Sequence, residues 1–146
     1  MSGHSTSGMS PTVIIDDDQD VESRLAELTL SRENLIKVAQ EAANEGKNAT
    51  RLHAKNAAGT LAYQHGTYAL RREFMGGNWE MSRPENVEVI LNAKLGIQVA
   101  FSNVDVTCSA TFAPNPRSAK GAGAERVCQG NLFSILPAYG RPPKET

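Results

Sequence analysis

The chain has 146 residues, the length of one ordinary domain. Apolar residues make up 40% and aromatic residues 5%, so we expect a core of Ala, Val, Leu and Ile with few large rings. The formal net charge of −1 is far from the strongly basic balance of committed nucleic-acid binders. No run approaches the roughly 18 apolar residues of a membrane span, so no membrane contact is predicted.

The charge is unevenly distributed along the chain. Residues 1–30 carry six Asp and Glu against one Arg, whereas residues 31–146 carry 14 Lys and Arg against ten Asp and Glu. An acidic segment beside a basic body can fold back on it or mask a site for an anion. The alternative is that these charges only keep an exposed arm in solution.

The first half of the chain predicts an arm followed by helices. Residues 1–19 are rich in Ser, Gly and Thr without any period, which predicts a disordered acidic arm. Within it, Val13-Ile14-Ile15 could be donated as a strand to a second copy, giving a homo-oligomer. A first helix is predicted to begin near Asp20. A second follows Ser31, a good N-cap, and ends at Asn44-Glu45-Gly46.

A third, longer helix is predicted to follow. Asn48 or Thr50 would cap it, and Gly76-Gly77 would end it. Gly59 and Gly66 lie inside this helix and each costs about 1 kcal/mol relative to Ala. The same glycines leave a smooth surface on which another element could pack closely. A helix break near Gly59 is the alternative.

The period of the apolar residues then changes from 3.6 to 2, which indicates strands. A short strand is predicted at 79–82, with Trp79 in the core rather than exposed as a binding anchor. Alternation over 87–91 and 97–106, joined by a turn at 92–96, predicts a β-hairpin. Beyond it we expect a loop at 111–123, a short helix at 124–130 and an apolar segment at 132–136.

These elements predict an α+β fold in which N-terminal helices pack on a small antiparallel sheet with a central β-hairpin. The domain is expected to span 20–139, with a flexible tail at 140–146. The two cysteines, Cys108 and Cys128, form no CxxC pattern, which is typical of a reducing compartment. Without an apolar leader at the start of the chain, a cytoplasmic location is expected.

A glycine-rich segment with three cations is the most suggestive local sequence. Arg117, Lys120 and Arg126 surround Gly121 and Gly123, where backbone N–H groups can approach an anion closely. This chemistry suits the phosphate of a nucleotide or a nucleic acid, although the P-loop spacing is absent. The alternative is a surface loop without a ligand.

Residues 46–78 form a second basic region, with five Lys and Arg against one Glu. On the predicted third helix, Arg51, Lys55, Arg71 and Arg72 would form a basic face for an anionic partner such as a phosphate backbone. The alternative is a solvated helix face.

Signatures of catalysis and of metal binding are weak. His53 and His65 do not share a helical face and no Cys/His pair accompanies them, so neither a metal nor another cofactor is predicted. His65 and Asp105 are candidate acid–base residues for an enzyme that acts on a phosphate-bearing substrate. Cys108 has no base nearby in the sequence, which favours a buried structural role.

Four segments carry a resemblance, at 56–60, 69–74, 101–105 and 120–126. With them, the stretch 47–137 resembles uncharacterised small proteins of bacterial genomes, prophages and phages. The resemblance implies an accessory protein that binds a nucleic acid or a host factor, and it implies no known activity. Because residues 31–146 carry excess positive charge and no catalytic constellation is recognised, the leading hypothesis is a non-enzymatic protein that binds nucleic acid or an acidic protein surface. The small enzyme and the oligomer-forming structural protein are the alternatives.

Overall fold

A computed structural model of the chain describes residues 13–104, 109 and 111–115. These residues belong to two compact units, of which 15–103 is the larger. In the smaller unit, Ser109 Oγ accepts hydrogen bonds from the backbone N–H groups of Thr111 and Phe112 at 3.1 and 3.0 Å. The helices and strands of the described residues all lie in the larger unit.

The larger unit has three helices followed by a three-stranded antiparallel sheet in the order β1-β2-β3. The helices are α1 (Asp18–Glu27), α2 (Arg32–Gly46) and α3 (Ala57–Phe74), and the strands are β1 (Glu80–Ser82), β2 (Val89–Asn92) and β3 (Ile97–Val99). A short 3-10 turn, Pro84–Asn86, separates β1 from β2. This arrangement confirms the predicted α+β fold and its central hairpin. The predicted elements beyond residue 115, the tail and most of the arm lie outside the described residues.

The N-termini of the first two helices follow from their caps. Asp17 accepts a hydrogen bond from the backbone N–H of Asp20 at 3.3 Å, so α1 begins slightly earlier than predicted. Ser31 accepts from the N–H of Asn34 at 3.3 Å and caps α2 as predicted. Such side-chain acceptors satisfy N–H groups that have no partner inside the helix.

The start of α3 differs from the prediction, because neither Asn48 nor Thr50 caps it. The helix begins at Ala57, and residues 47–56 form turns. Thr50 Oγ1 accepts from the N–H of Leu52 at 3.2 Å. A Thr side chain that bonds to its neighbouring backbone competes with helix formation. The proposed break near Gly59 does not occur, since α3 continues through that position.

Helix α1 ends in a Schellman motif with an unusual residue in its left-handed position. The N–H of Leu30 bonds to the carbonyl of Leu25 at 2.8 Å, and the N–H of Thr29 bonds to that of Ala26 at 3.0 Å. Thr29 has φ +61°, a conformation that is costly for a β-branched residue and favours Gly. Its carbonyl accepts from Trp79 Nε1 at 3.1 Å, which holds this turn against the core.

Replacing Thr29 with Gly is therefore expected to stabilise the protein by about 1 kcal/mol, because a left-handed L-residue costs roughly 1–2 kcal/mol that glycine avoids. The backbone carbonyl that Trp79 uses is kept. Chemical denaturation of wild type, Thr29→Gly and Thr29→Asn measures this, with Asn intermediate. A glycine variant less stable than wild type would contradict the assignment of strain to this residue.

Helices α2 and α3 pack antiparallel. A Cβ added at Gly46, the end of α2, would lie 3.3 Å from the carbonyl oxygen of Ala58 near the start of α3. Farther along, Arg72 reaches Glu41 at 2.6 Å. The connection over 47–56 therefore lies at one end of the helix pair, and the termini that meet α1 and the sheet lie at the other.

The core lies between this helix pair and the sheet. Its buried members are Val38, Ala69, Leu70, Phe74, Trp79 and Ile90, with Leu30, Leu35, Ile97, Val99 and Phe101 packed against them. Trp79 is 5% exposed, as predicted for a core residue. In the hairpin turn, the buried Asn92 accepts from the N–H of Leu95 at 3.0 Å, which fixes the turn between β2 and β3.

After β3 the chain returns along α3. Phe101 lies over Gly66 so closely that an added Cβ would come within 2.7–2.8 Å of three ring carbons. Asn103 Nδ2 then donates to the carbonyl oxygen of Gly59 at 3.0 Å. The glycine surface predicted on α3 is therefore the contact surface for this segment.

Candidate functional site

The four basic residues predicted for one helix face do not lie together. Arg51 and Lys55 belong to the connection over 47–56, whereas Arg71 and Arg72 lie in the last turn of α3, at its opposite end. The eighteen residues of α3 span about 27 Å at the usual helical rise of ~1.5 Å per residue. Arg51 and Lys55 therefore do not share a helix face with Arg71 and Arg72, and that part of the prediction is wrong. That the four residues bind an anion stays a prediction.

The connection between α2 and α3, residues 47–56, is the strongest concentration of accessible positive charge in the described residues, and we call it the basic loop. It carries Lys47, Arg51 and Lys55, all exposed, together with the exposed His53. No Asp or Glu occurs between residues 46 and 72. Neither Arg51 nor Lys55 forms an ion pair with any residue that the structure describes.

The basic loop is held in shape by its own hydrogen bonds. His53 Nδ1 accepts from the backbone N–H of Thr50 at 2.9 Å, and the N–H of His53 donates to the carbonyl of Thr50 at 3.0 Å. Because Nδ1 accepts, the neutral ring carries its proton on Nε2. The loop therefore presents an ordered backbone. The Nε2–H group of the exposed His53 is a further hydrogen-bond donor beside the cations of the loop.

An apolar side chain lies at the centre of the basic loop. Leu52 is 85% exposed and is flanked in sequence by Arg51 and His53. A single exposed leucine is common on protein surfaces. Here it adds an apolar contact point to a cationic surface, and a purely polar partner would leave that point unused.

Arg71 serves the fold. Its Nη2 donates to the backbone carbonyls of Ser82 and Val89, both at 3.2 Å, and these residues face each other across β1 and β2. Its Nη1 lies 2.8 Å from Glu88 Oε1, and the side chain is only 14% exposed. The guanidinium thus ties α3 to the end of a strand pair, and little of it is open to a ligand.

Arg72 is also engaged by carboxylates, but near the surface. It contacts Glu41 at 2.6 Å and Glu73 at 3.0 Å, and its Cζ lies 5.5 Å from the ring centroid of Tyr68. These two carboxylates raise the pKa of Arg72, and the hydrogen bond that Arg72 donates to Glu41 has the largest effect. An added anion would have to compete with both carboxylates for this guanidinium.

His65, a predicted acid–base candidate, lies on α3 with its Nε2 3.6 Å from Glu45 Oε1. Both side chains are over one third exposed. The nearby open cleft of about 520 Å³ is lined by Lys37, Gln40, Glu41, Asn44, Glu45 and Arg72. Its two cations are matched by two carboxylates, so this cleft offers no net positive charge to a phosphate. Asp105, the other candidate, lies outside the described residues.

The glycine-rich segment predicted to bind an anion also lies outside the described residues. Its predicted site residues are Arg117, Lys120, Gly121, Gly123 and Arg126. It stays a prediction that these residues and the basic residues assigned to the long helix come together on the folded surface. The exposed Val13-Ile14-Ile15 is described, and its strand donation to a second copy also stays a prediction.

Two further observations bear on the candidate chemistries. Within the described part of the chain, no three His, Cys, Asp or Glu side chains come together as ligands for a metal ion. No helix there has the length and apolarity to cross a lipid bilayer.

The sequence contained a signal for the basic loop that the helix prediction obscured. The absence of carboxylates from 46 to 72 is visible in the residues alone. Asn48, Thr50 and Asn56 all favour caps and turns, and three such residues within nine positions argue for a loop before the helix. Choosing the last one, Asn56, as the cap would have separated Arg51 and Lys55 from α3.

Neither a protein-family model, nor a curated protein, nor a solved structure matches this chain. The resemblance to small prophage and phage proteins therefore stays a prediction.

Proposed function

We propose that this protein is a non-enzymatic binding protein that contacts an anionic partner through the basic loop, residues 47–56. The observation that carries the proposal is the pair of exposed cations, Arg51 and Lys55, that no described carboxylate neutralises. Arg71 and Arg72 are left out of the site because carboxylates and backbone carbonyls already hold them.

Arg51 and Lys55 have no carboxylate partner among the described residues, and this supports binding in energetic terms. A cation that already has a carboxylate partner must exchange it for the ligand and gains little, whereas a solvated cation can use its full interaction with an incoming anion. The ordered backbone around Thr50 also lowers the entropy that binding would cost.

Nucleic acid is the first partner to test. Its phosphates are regularly spaced anions, and each cation that meets one releases condensed counterions. An acidic protein surface is the other candidate, and the exposed Leu52 would give it an apolar contact. The accessory role implied by the resemblance to phage-type proteins is compatible with either partner.

Arg51→Gln/Lys55→Gln is expected to weaken binding to a short DNA or RNA duplex at least about 10-fold near 50 mM salt, since two phosphate contacts are lost. The slope of log affinity against log salt should become shallower by about 2. Fluorescence anisotropy with labelled DNA, RNA and polyglutamate distinguishes the two kinds of partner.

The matched control is Arg24→Gln/Lys94→Gln, which removes the same charge from exposed positions outside the basic loop. It should retain binding within about 2-fold, because neither residue lies in the basic loop. Attraction that depended on net charge alone would weaken binding equally in both variants. Equal losses in the two variants, or no salt-sensitive binding of wild type to any of the three probes, would refute the proposed function.

A further inference from the structure

We infer that the basic loop also binds the acidic segment of a second copy of this chain, defined as residues 15–22, and that the protein self-associates through this contact. The inference rests on the proposed function in that both use the same loop. The inference also names the group that binds the loop, the acidic segment of a second copy. This segment would cover the loop when no other partner is bound.

The acidic segment has free charges of its own. Asp17 caps α1, and Asp18 pairs with Arg32 at 3.1 Å. Asp16, Asp20 and Glu22 are exposed and form no ion pair with any residue of the described ranges.

The two surfaces are complementary in charge and in apolar character. The basic loop offers Lys47, Arg51 and Lys55 around the exposed Leu52. The three carboxylates of the acidic segment that no described cation pairs with follow Ile15, which is 44% exposed. Opposite charges around an apolar contact favour association and also fix its orientation.

The basic loop cannot receive the acidic segment of its own chain. Asp18 contacts Arg32, so the start of α1 lies beside the first residue of α2, whereas the basic loop begins after the last residue of α2. The fifteen residues of α2 separate them by about 22 Å. Asp16 lies only two residues before α1 and extends at most about 7 Å beyond it. The contact must therefore form between copies.

An antiparallel pair of molecules satisfies both contacts at once. If the α2 helices of two copies run in opposite directions, each acidic segment meets the partner's basic loop. Two reciprocal contacts strengthen each other, because the second forms at a high effective concentration. Such a pair has the two-fold symmetry that is most common among homo-oligomers.

The test measures the solution mass of the full chain by analytical ultracentrifugation at low and high salt. Near 10 mM salt, where the Debye length is about 30 Å, the solution mass of wild type is expected to rise from that of the monomer toward twice that value. Near 1 M salt, the mass should return to that of the monomer. Arg51→Glu/Lys55→Glu should remain monomeric at low salt. The control Arg24→Gln/Lys94→Gln should associate as wild type does.

A charge exchange separates the proposed contact from simple misfolding. Adding Asp16→Lys/Asp20→Lys to Arg51→Glu/Lys55→Glu restores opposite charges and should restore the dimer, with circular dichroism confirming helical content. Wild type that is monomeric at low salt, or an exchanged variant that stays monomeric while folded, would overturn the inference. Because polyanion binding is measured separately, a loop that binds DNA without self-association would leave the proposed function intact.

Discussion

Gly66→Ala is expected to destabilise the protein by about 1–3 kcal/mol, although alanine is the better helix former by about 1 kcal/mol. The reason is the ring of Phe101, three carbons of which would lie within 2.7–2.8 Å of the new Cβ. The ring or the helix must shift, which costs packing between the returning chain and α3. Urea denaturation gives the free-energy difference directly.

Gly59 supplies the matched control in the same helix. A Cβ at Gly59 would meet only Asn103 Nδ2, at an ordinary contact distance of 3.8 Å. Gly59→Ala should therefore stabilise the protein by about 0.5–1 kcal/mol through helix propensity alone. The two substitutions are chemically identical, so opposite signs can come only from what packs against each position.

A double-mutant cycle identifies the cause. Phe101→Ala alone should be destabilising, because the ring packs against the core. In that background the clash is gone, so Gly66→Ala should become stabilising, with a coupling energy of about 2 kcal/mol between the two sites. If Gly66→Ala is equally harmful without the ring, the close approach of Phe101 is not the cause.

Much of this fold follows from local signals. Ser31 is an N-cap whose side chain accepts from a backbone N–H three residues later, and Gly76-Gly77 takes backbone angles that end α3, with φ +103° and +59°. The hairpin follows from two short apolar strands, a continuous apolar run at 89–91 and alternation at 97–99, joined by a turn that contains Asn92 and Gly96. Each of these features is decided within a few residues, which is why sequence patterns predict them.

The features that sequence reasoning missed depend on contacts between distant residues. The start of α3 is a competition among Asn48, Thr50 and Asn56, and each is a plausible cap by itself. Thr29 reads as an ordinary residue, yet it takes a left-handed conformation beside Trp79, fifty positions later. Its conformation depends on how α1 meets the core, which local propensity does not determine.

The candidate site also combines a local feature, which the sequence reveals, with distant contacts, which it does not reveal. Sequence alone showed that positive charge concentrates between residues 46 and 72. It could not show which cations are already paired, because Arg71 meets Glu88 only when β2 packs beside α3. The fold thus divides one basic stretch into a structural part at the end of α3 and an accessible part in the basic loop. The proposed function depends on the accessible part.

Arg71→Met is expected to cost about 2–4 kcal/mol, a large effect for the loss of one charged side chain. The substitution leaves the carbonyls of Ser82 and Val89 without their donor and removes one cation from the partly buried Glu88. Groups left unpaired in this way cost more than the pair itself contributes. Arg71 Nε finds no hydrogen-bond partner within the described residues. This unsatisfied donor offsets part of the stability that the other contacts of Arg71 contribute.

The neighbouring Arg72 is the control. A count of ion pairs alone would predict that Arg72→Met is the more destabilising substitution, because Arg72 has two carboxylate partners and Arg71 has one. Arg72 has two carboxylate partners and an aromatic ring, but its side chain is 40% exposed. Exposed pairs of this kind contribute little to stability, because solvent screens the charges. Arg72→Met should therefore be mild where Arg71→Met is severe. Comparable losses would mean that burial and backbone contacts do not govern this site.

The pH dependence of stability tests the Arg71–Glu88 pair separately from the backbone contacts. The hydrogen bond from Arg71, aided by Arg83 and opposed by partial desolvation, holds the pKa of Glu88 below its ordinary value. A lowered pKa in the folded state means that the pair stabilises above the unfolded carboxyl pKa of about 4.3 and is lost as the pH falls through the lower folded value. The stability gap between wild type and Arg71→Met should thus narrow in acid without closing, because the bonds to the Ser82 and Val89 carbonyls do not titrate. A gap that is constant from neutral pH to below the folded pKa would assign the whole effect to those two carbonyls.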